Sequence, residues 1–347
     1  MKKIISVIGA RPQFIKHAPM QLELQKHFNS ITLHTGQHYD KNMSAVFFDE
    51  LNMLPPDYLF DIGGSKRQGE QTGIMMTAIE DVCAQEKPDA LLTYGDTNST
   101  LATALIAAKM HIPLIHIEAG LRSFNRQMPE EINRIIADEF SHLLFCPTRQ
   151  AVANLAKEGI EHERIFICGD VMVDTLSLVR DKISRKISTP YYFATLHRPY
   201  NTDDHRRLKS LLDNFQSLDH EVVFAVHPRT VFMLRNSAID LESYNNIEFI
   251  DPIGYIDSVS YQAFAEAVIT DSGGMQKEAY ILRKKCVTLR SETEWIETLQ
   301  HGWNQLVYDN LAELRIALHR EPGKYIENLY GNGRAAQEIV NIIKDNI

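Results

Sequence analysis

At 347 residues, 44% of them hydrophobic and 23% charged, the chain has an ordinary globular composition and about twice the usual domain length, so two domains with ample cores are expected. No stretch approaches the roughly eighteen apolar residues of a membrane span, and a formal net charge of -9 argues against nucleic acid as a partner. The four cysteines, Cys83, Cys146, Cys168 and Cys286, lack CxxC or other metal-ligand spacing, which fits reduced core thiols in a cytoplasmic protein rather than disulfides or a zinc site.

Met1-Lys2-Lys3 before the apolar run 4–8 superficially resembles a signal peptide. The run is short, Arg11 and Lys16 interrupt the stretch beyond it and no small-residue cleavage site appears, so a first strand is expected there. Further β-branched runs at 31–34, 90–94, 114–117, 143–146 and 165–168 alternate with longer amphipathic stretches. After a helical pattern from 173 and a polar segment at 184–190, where a hinge is expected, the rhythm resumes at 192–196, 222–226, 247–250, 267–270 and 286–289. This alternation predicts an α/β protein of two Rossmann-like domains, 1–172 and 173–334, each with a parallel sheet and facing one another across a cleft. Ligands of such sheets bind beyond the carboxyl ends of the strands, so the residues directly after each strand are the functional candidates.

The first strand is followed by Gly9-Ala10-Arg11-Pro12-Gln13-Phe14-Ile15-Lys16, two cations at a helix start without the GxGxxG dinucleotide fingerprint. Solvated cations would explain it equally well. Gly95-Asp96-Thr97 follows the strand at 90–94, where Thr97 or Ser99 could simply cap a helix. His116-Ile117-Glu118-Ala119-Gly120 places an acid at the next strand end, and Pro129-Glu130-Glu131-Ile132-Asn133-Arg134 reads as a helix start whose acids suit the helix dipole. In the second half, His197-Arg198 and His227-Pro228-Arg229 put cations after two strands; either pair could be structural, but together they suggest an anionic ligand. Asp271-Ser272-Gly273-Gly274, a strand entering a glycine-rich helix start, offers free N–H groups to a diphosphate, with Glu278 placed for ribose hydroxyls.

Together with Thr35-Gly36-Gln37-His38, these motifs resemble the non-hydrolysing UDP-N-acetylglucosamine 2-epimerases from end to end. The resemblance implies a glycosyltransferase-B-like fold, a homodimer and a C-terminal helix, about 335–347, that returns to the first domain. It implies acid/base roles for Asp96, Glu118, Glu130 and His197. It gives substrate contacts to Arg11, Lys16, Arg134, Ser272, Gly273, Gly274 and Glu278; His227 joins them as a cation for the diphosphate. No metal or other cofactor is expected. His38-Tyr39-Asp40 stands where better-known bacterial members carry His-Arg-Glu, part of their site for an activating second UDP-GlcNAc, so the resemblance leaves open whether this chain has an activator site. Tyr200 replaces a common acid, and Thr293-Glu294-Trp295-Ile296-Glu297 replaces Thr-Glu-Arg-Pro-Glu. With Ser123-Phe124-Asn125-Arg126-Gln127, these features are similar to a subgroup that includes epimerases of UDP-2,3-diacetamido-2,3-dideoxyglucuronic acid.

The hydrogen at C2 of an N-acetylhexosamine is not α to a carbonyl, so enolate chemistry cannot remove it. Expelling UDP from C1 while a base takes the C2 proton solves the problem, and re-addition with protonation from the opposite face completes the inversion. Two faces call for two proton-handling groups, each worth about 10² to 10⁴ in rate. A UDP-sugar glycosyltransferase of the same architecture, a hydrolysing epimerase and a non-catalytic UDP-sugar sensor are the alternatives, separated by whether the C2 hydrogen exchanges with solvent.

Overall fold

Runs of Val, Ile and Leu on every residue, rather than on alternate ones, are what a parallel sheet covered on both faces requires. In the computed structural model, which describes residues 1–37, 41–63, 67–226, 228–235 and 239–347, those runs form two such sheets in two units, Met1–Arg180 with Asn328–Ile347 and Asp181–Glu327.

The first unit runs β1 (Lys3–Ile8), α1 (Arg11–Leu24), β2 (Asn29–His34), α2 (Lys41–Glu50), β3 (Tyr58–Leu59), α3 (Gln68–Glu86) and β4 (Ala90–Tyr94). It continues with α4 (Asn98–Met110), β5 (Leu114–Ile117), α5 (Pro129–Phe140), β6 (Leu143–Cys146), α6 (Arg149–Lys157), β7 (Ile165–Ile167) and α7 (Val171–Val179). Its strands lie in the order β3-β2-β1-β4-β5-β6-β7, all parallel. On one face Ile5, Val7, Ile31 and Leu33 pack with Met75, Ile79 and Val82 of α3. The expected strands of this half are present within a residue or two; β3, a two-residue edge, has too little sequence to signal itself.

The second unit runs β8 (Tyr191–Leu196), α8 (Pro199–Thr202), α9 (His205–Gln216), β9 (Glu221–Val226), α10 (Pro228–Arg235) and β10 (Ile247–Ile250). Then come α11 (Tyr255–Phe264), β11 (Ala267–Thr270), α12 (Gly273–Ile281), β12 (Lys285–Thr288), β13 (Asn304–Leu306) and α13 (Glu313–His319), in the parallel order β10-β9-β8-β11-β12-β13. Strand side chains alternate between faces. Tyr192, Ala194 and Leu196 accordingly pack with Leu208, Leu211 and Phe215 of α9, while Tyr191 and Phe193 meet Tyr261 and Phe264 of α11. The chain ends in α14 (Ala335–Asn346), which packs on α1 and α7 in the first unit. All four cysteines are buried and free. Among the described residues no helix is long and apolar enough to cross a membrane.

The docking of α14 has a polar hinge. Thr175 of α7 donates to the Ile15 carbonyl of α1 at 2.8 Å, and the Asp174 carboxylate takes the first N–H groups of α14, Ala335 at 3.2 Å and Ala336 at 3.0 Å. Those N–H groups have no partner inside the helix and favour a negative charge. Burial nonetheless dominates and pushes the Asp174 carboxyl up from 3.8 to about 6. A folded value above the unfolded one means that the native chain binds the proton more tightly. This group's contribution is therefore present below about pH 4 and lost as pH rises through about 6. Asp174→Asn removes that titration. Its melting temperature, relative to the natural chain, is expected to rise between about pH 4 and about pH 7 in calorimetry; a constant difference would exclude this account.

Candidate active site

In a doubly wound sheet the ligand crevice opens where the strand order reverses, because the connections on either side of that point leave in opposite directions. The first sheet reverses between β1 and β4, the second between β8 and β11. The loops leaving those four strands carry Gly9-Ala10-Arg11, Gly95-Asp96, His197-Arg198 and Asp271-Ser272-Gly273-Gly274, and β5, next to β4, delivers Glu118.

In the first unit the Gln13 side chain on α1 fixes the loop after β1: its Oε1 accepts from the N–H of Gly9 at 2.8 Å and of Ala10 at 3.2 Å, and its Nε2 donates to the Tyr94 carbonyl at 3.0 Å. Lys16, one turn further on, is buried rather than solvated and is ion-paired with the buried Glu118. The Arg11 guanidinium lies 4.6 Å over the Phe47 ring. Glu118 adopts φ +69, a left-handed backbone that a non-glycine residue holds at a cost of about 1 to 3 kcal/mol and that concentrates at functional sites. Asp96 is paired with Arg134, whose Nη1 also donates to Glu131 at 3.0 Å, and Asn133 donates to the Asp96 carbonyl at 2.9 Å. Glu130 is half-buried in the first turn of α5. Thr97 does cap α4, accepting from the Thr100 N–H at 3.4 Å, so the plain capping reading holds for that residue. Ser99 instead bonds Thr35 at 2.8 Å and Gln37 at 2.9 Å.

In the second unit Asp271 organises the tips of β8 and β11. This fully buried carboxylate accepts from the backbone N–H of His197 at 3.1 Å and Arg198 at 3.0 Å and from Asn201 Nδ2 at 3.1 Å, and it faces His197 Nδ1 at 3.0 Å. Burial pushes its carboxyl up, but His197, the Arg198 N–H and Asn201 together hold it below the ordinary carboxylate range. Ser272 stands at the N-cap of α12 without capping it through its side chain. The opening N–H groups of this helix are the ones a phosphate would use. A Cβ at Gly273 would stand 2.4 Å from Glu294 Oε1, so this carboxylate, paired with buried Arg290 at 2.9 Å, would have to shift to admit it. Glu278 is buried, and Gln262 of α11 donates to its Oε2 at 2.7 Å. Lys277 sits 3.9 Å over the Trp295 ring.

The structure thus brings Lys16 to Glu118 and Arg134 to Asp96 in one unit, and His197 to Asp271 beside Ser272 and Gly273 in the other. His227, His38, Tyr39 and Asp40 lie outside the described residues. Glu131 was readable only as a dipole partner, yet it is buried and accepts from the Ser123 and Phe124 N–H groups at 2.9 and 2.8 Å. Asp138 stands in none of the strand-end motifs. A signal existed, since Glu131, Arg134 and Asp138 follow one another at i, i+3 and i+7, a charged stripe on one face of α5 that turns out to be its buried face. Among the described residues no three His, Cys, Asp or Glu side chains are grouped to hold a metal ion.

The family model of UDP-N-acetylglucosamine 2-epimerase matches residues 20–344. A UDP-N-acetylglucosamine 2-epimerase homolog from Methanococcus maripaludis is 43% identical over 360 residues, spanning 99% of both chains. UDP-2,3-diacetamido-2,3-dideoxy-D-glucuronate 2-epimerase of Pseudomonas aeruginosa is 43% identical over 355 residues, spanning 98% of this chain and 99% of that one. Among solved structures, the UDP-GlcNAc 2-epimerase of Methanocaldococcus jannaschii in complex with UDP-GlcNAc and UDP superposes with a TM-score of 0.90 at 40% identity, over 99% of this chain and 100% of that one. Matched in sequence along nearly its whole length and in the fold of both sheets, the chain belongs to the UDP-N-acetylglucosamine 2-epimerase family, isomerases built from two parallel-sheet α/β domains of glycosyltransferase-B type.

Proposed function

We propose that this protein is a non-hydrolysing UDP-sugar 2-epimerase that interconverts UDP-GlcNAc and UDP-ManNAc. The observation that carries the reading is the placement of ion-paired carboxylates and an open, glycine-flanked helix start at the reversal points of the two sheets. A relative 40% identical over the whole chain, solved with UDP-GlcNAc and UDP, supports it.

In this reading the second unit holds UDP: the Ser272 hydroxyl and the N–H groups of Gly273 and Gly274 take the diphosphate, the Ser272 N–H being bonded to Thr270 Oγ1 at 3.0 Å, and Glu278 takes the ribose. Arg11 and His227 add positive charge. The first unit handles protons through Asp96, Glu118 and Glu130, with Lys16 and Arg134 setting the charge around the acids, and His197 is the acid/base group of the second. A base removes the C2 proton as the C1–O bond breaks, giving a 2-acetamidoglycal and UDP. UDP then re-adds at C1 while an acid delivers a proton to the opposite face of C2. No net oxidation occurs at C1 or C2, so the balance needs no hydride acceptor. Charge grows on the departing diphosphate, and fixed N–H groups and cations aimed at it stabilise the transition state more than the ground state. The protein would act as a homodimer in the cytoplasm, supplying a precursor for surface polysaccharide.

A second reading keeps this chemistry and changes the sugar to the 2,3-diacetamido uronate. The Pseudomonas aeruginosa relative, at 43% identity, favours it as strongly as the methanogen UDP-GlcNAc epimerases, at 41% and 40%, favour the first.

Proton NMR with UDP-GlcNAc in D₂O is expected to show UDP-ManNAc carrying deuterium at C2 with little free UDP; free UDP without epimer would refute the non-hydrolysing mechanism. Inert UDP-GlcNAc alongside turnover of the diacetamido uronate would select the second sugar. Asp96→Asn is expected to lower turnover by about 10² to 10⁴ while UDP affinity by calorimetry stays nearly intact, and loss of both would remove Asp96 from the proton chemistry. Gly273→Ala, whose methyl meets Glu294, is expected to weaken UDP binding tenfold or more, about 1.4 kcal/mol, in the same titration.

A further inference from the structure

Two residues before Glu118 and two residues after it, the chain is tied to a single carboxylate. Asp138, buried on α5, accepts from His116 Nδ1 on its Oδ1 at 2.7 Å, and its Oδ2 accepts from the Gly120 N–H at 3.1 Å and from Arg122 Nη1 at 2.7 Å. Arg122 is anchored in turn by Glu158 just past α6, through Nε at 2.7 Å and Nη2 at 2.5 Å. Burial pushes the Asp138 carboxyl up, yet His116 and Arg122 hold it below the ordinary range, so it serves as an ionised acceptor.

The other nitrogen of the His116 ring, Nε2, lies 2.7 Å from the Gly95 carbonyl oxygen. A carbonyl oxygen only accepts hydrogen bonds, and so does a carboxylate. Nε2 therefore donates to Gly95, and with the Arg122 guanidinium and the Gly120 N–H on its other oxygen favouring an ionised Asp138, Nδ1 donates as well, an imidazolium paired with that carboxylate. The carbonyl it holds belongs to the turn that carries Asp96. Gly95 has φ +60, and a Cβ there would stand 3.2 Å from both Glu118 Oε1 and Lys16 Nζ. The turn is gripped from one side by His116 and closed on the other by the Glu118–Lys16 pair.

We propose that the Asp138–His116 ion pair is a positioning element for the epimerase reaction, one that locks the Gly95–Asp96 turn and the left-handed Glu118 backbone into a fixed mutual geometry. A pair that served only stability would not need both flanks of Glu118 and the carbonyl next to Asp96 as its partners. Glu118 keeps its unfavourable backbone because His116 and Gly120, on either side, are both fixed to the same buried anchor. The purpose assigned to the pair rests on the epimerase reading, whereas the charged pair itself does not.

The test uses the full chain labelled with ¹⁵N-histidine, the His116 signal being assigned by its disappearance in His116→Gln. At about pH 7.5 both His116 ring nitrogens are expected to show directly bonded protons, and Asp138→Asn is expected to leave only one. In turnover, Asp138→Asn is expected to lose about a hundredfold in kcat, the scale of an ångström-level misplacement, with KM and UDP affinity within about threefold. His116→Gln, which retains an amide donor within reach of the Gly95 carbonyl, is expected to lose less. A singly protonated His116 ring in the active natural enzyme, or a folded Asp138→Asn variant with near-normal kcat, overturns the proposal. If Asp138→Asn does not fold, the ring signal of the natural enzyme and the kcat of His116→Gln decide instead. Absence of C2 exchange in the natural enzyme with either sugar would defeat the epimerase reading and the purpose assigned here, while the ring signal would still report whether the pair exists.

Discussion

Charge at the ends of parallel strands is the constraint on which this molecule depends. An ionised side chain taken out of water costs several kcal/mol unless a partner and hydrogen bonds replace its hydration. The segments leaving β4, β5 and β11, and helix α5 in the first unit, nevertheless carry buried or half-buried acids. Each is balanced by residues from a different element: Glu118 by Lys16 of α1, Asp96 by Arg134 of α5, Asp138 by Arg122 beyond β5, and Asp271 by the hydrogen bonds of His197, Arg198 and Asn201 beyond β8. Because the partners come from different elements, the sheet's register and the helices' docking are what bring them together. Polar placement and the hydrophobic core are two views of one arrangement.

Such pairing also restrains the local backbone. Asp271 spends its acceptor capacity on the His197 and Arg198 N–H groups and so sets the direction in which the chain leaves β8. Glu131 does the same for the Ser123–Phe124 segment while steering Arg134 toward Asp96. Removing one member of a buried pair is usually far more damaging than the pair's net contribution, because the survivor is left charged and dry. Isosteric changes such as Asp to Asn are therefore the informative ones in this site, and alanine substitutions would mix folding with chemistry.

Most of the fold was legible because parallel strands announce themselves as continuous β-branched runs, and eleven of them stand where those runs lie. The edges β3 and β13 were not, since Tyr58–Leu59 and Asn304–Leu306 are too short, and the latter too polar, to carry a periodicity. The site was legible where the chemistry sits next to a strand or a glycine, as with Gly95-Asp96 and Ser272-Gly273. It was illegible where the decisive group lies mid-helix. Asp138 is eighteen residues from Gly120 and twenty-two from His116 in sequence, and nothing local distinguishes it from a solvated helix acid. Even so, a charged stripe shared by Glu131, Arg134 and Asp138 on the face opposite exposed Ile132 and Phe140 was an inverted amphipathic pattern. Inversion of that kind is a reason to suspect a buried polar network rather than a solvent-facing helix.

In the proposed reading the two units divide the chemical problem in a way that follows from the reaction itself. Breaking the C1–O bond requires stabilising charge on a diphosphate, which the N–H groups of a helix N-terminus do well and a carboxylate does badly. Moving a proton at C2 requires carboxylates whose ionisation is balanced by nearby cations. Such groups repel a diphosphate, so the two tasks conflict if they share one loop. In the proposed reading, housing the glycine-flanked α12 start in one sheet and Asp96, Glu118 and Glu130 at or near the strand tips of the other lets each electrostatic environment be built by itself. Binding energy gained on the nucleotide can then be used where the nucleotide does not react, at C2, which is how a remote part of a substrate raises kcat rather than merely lowering KM.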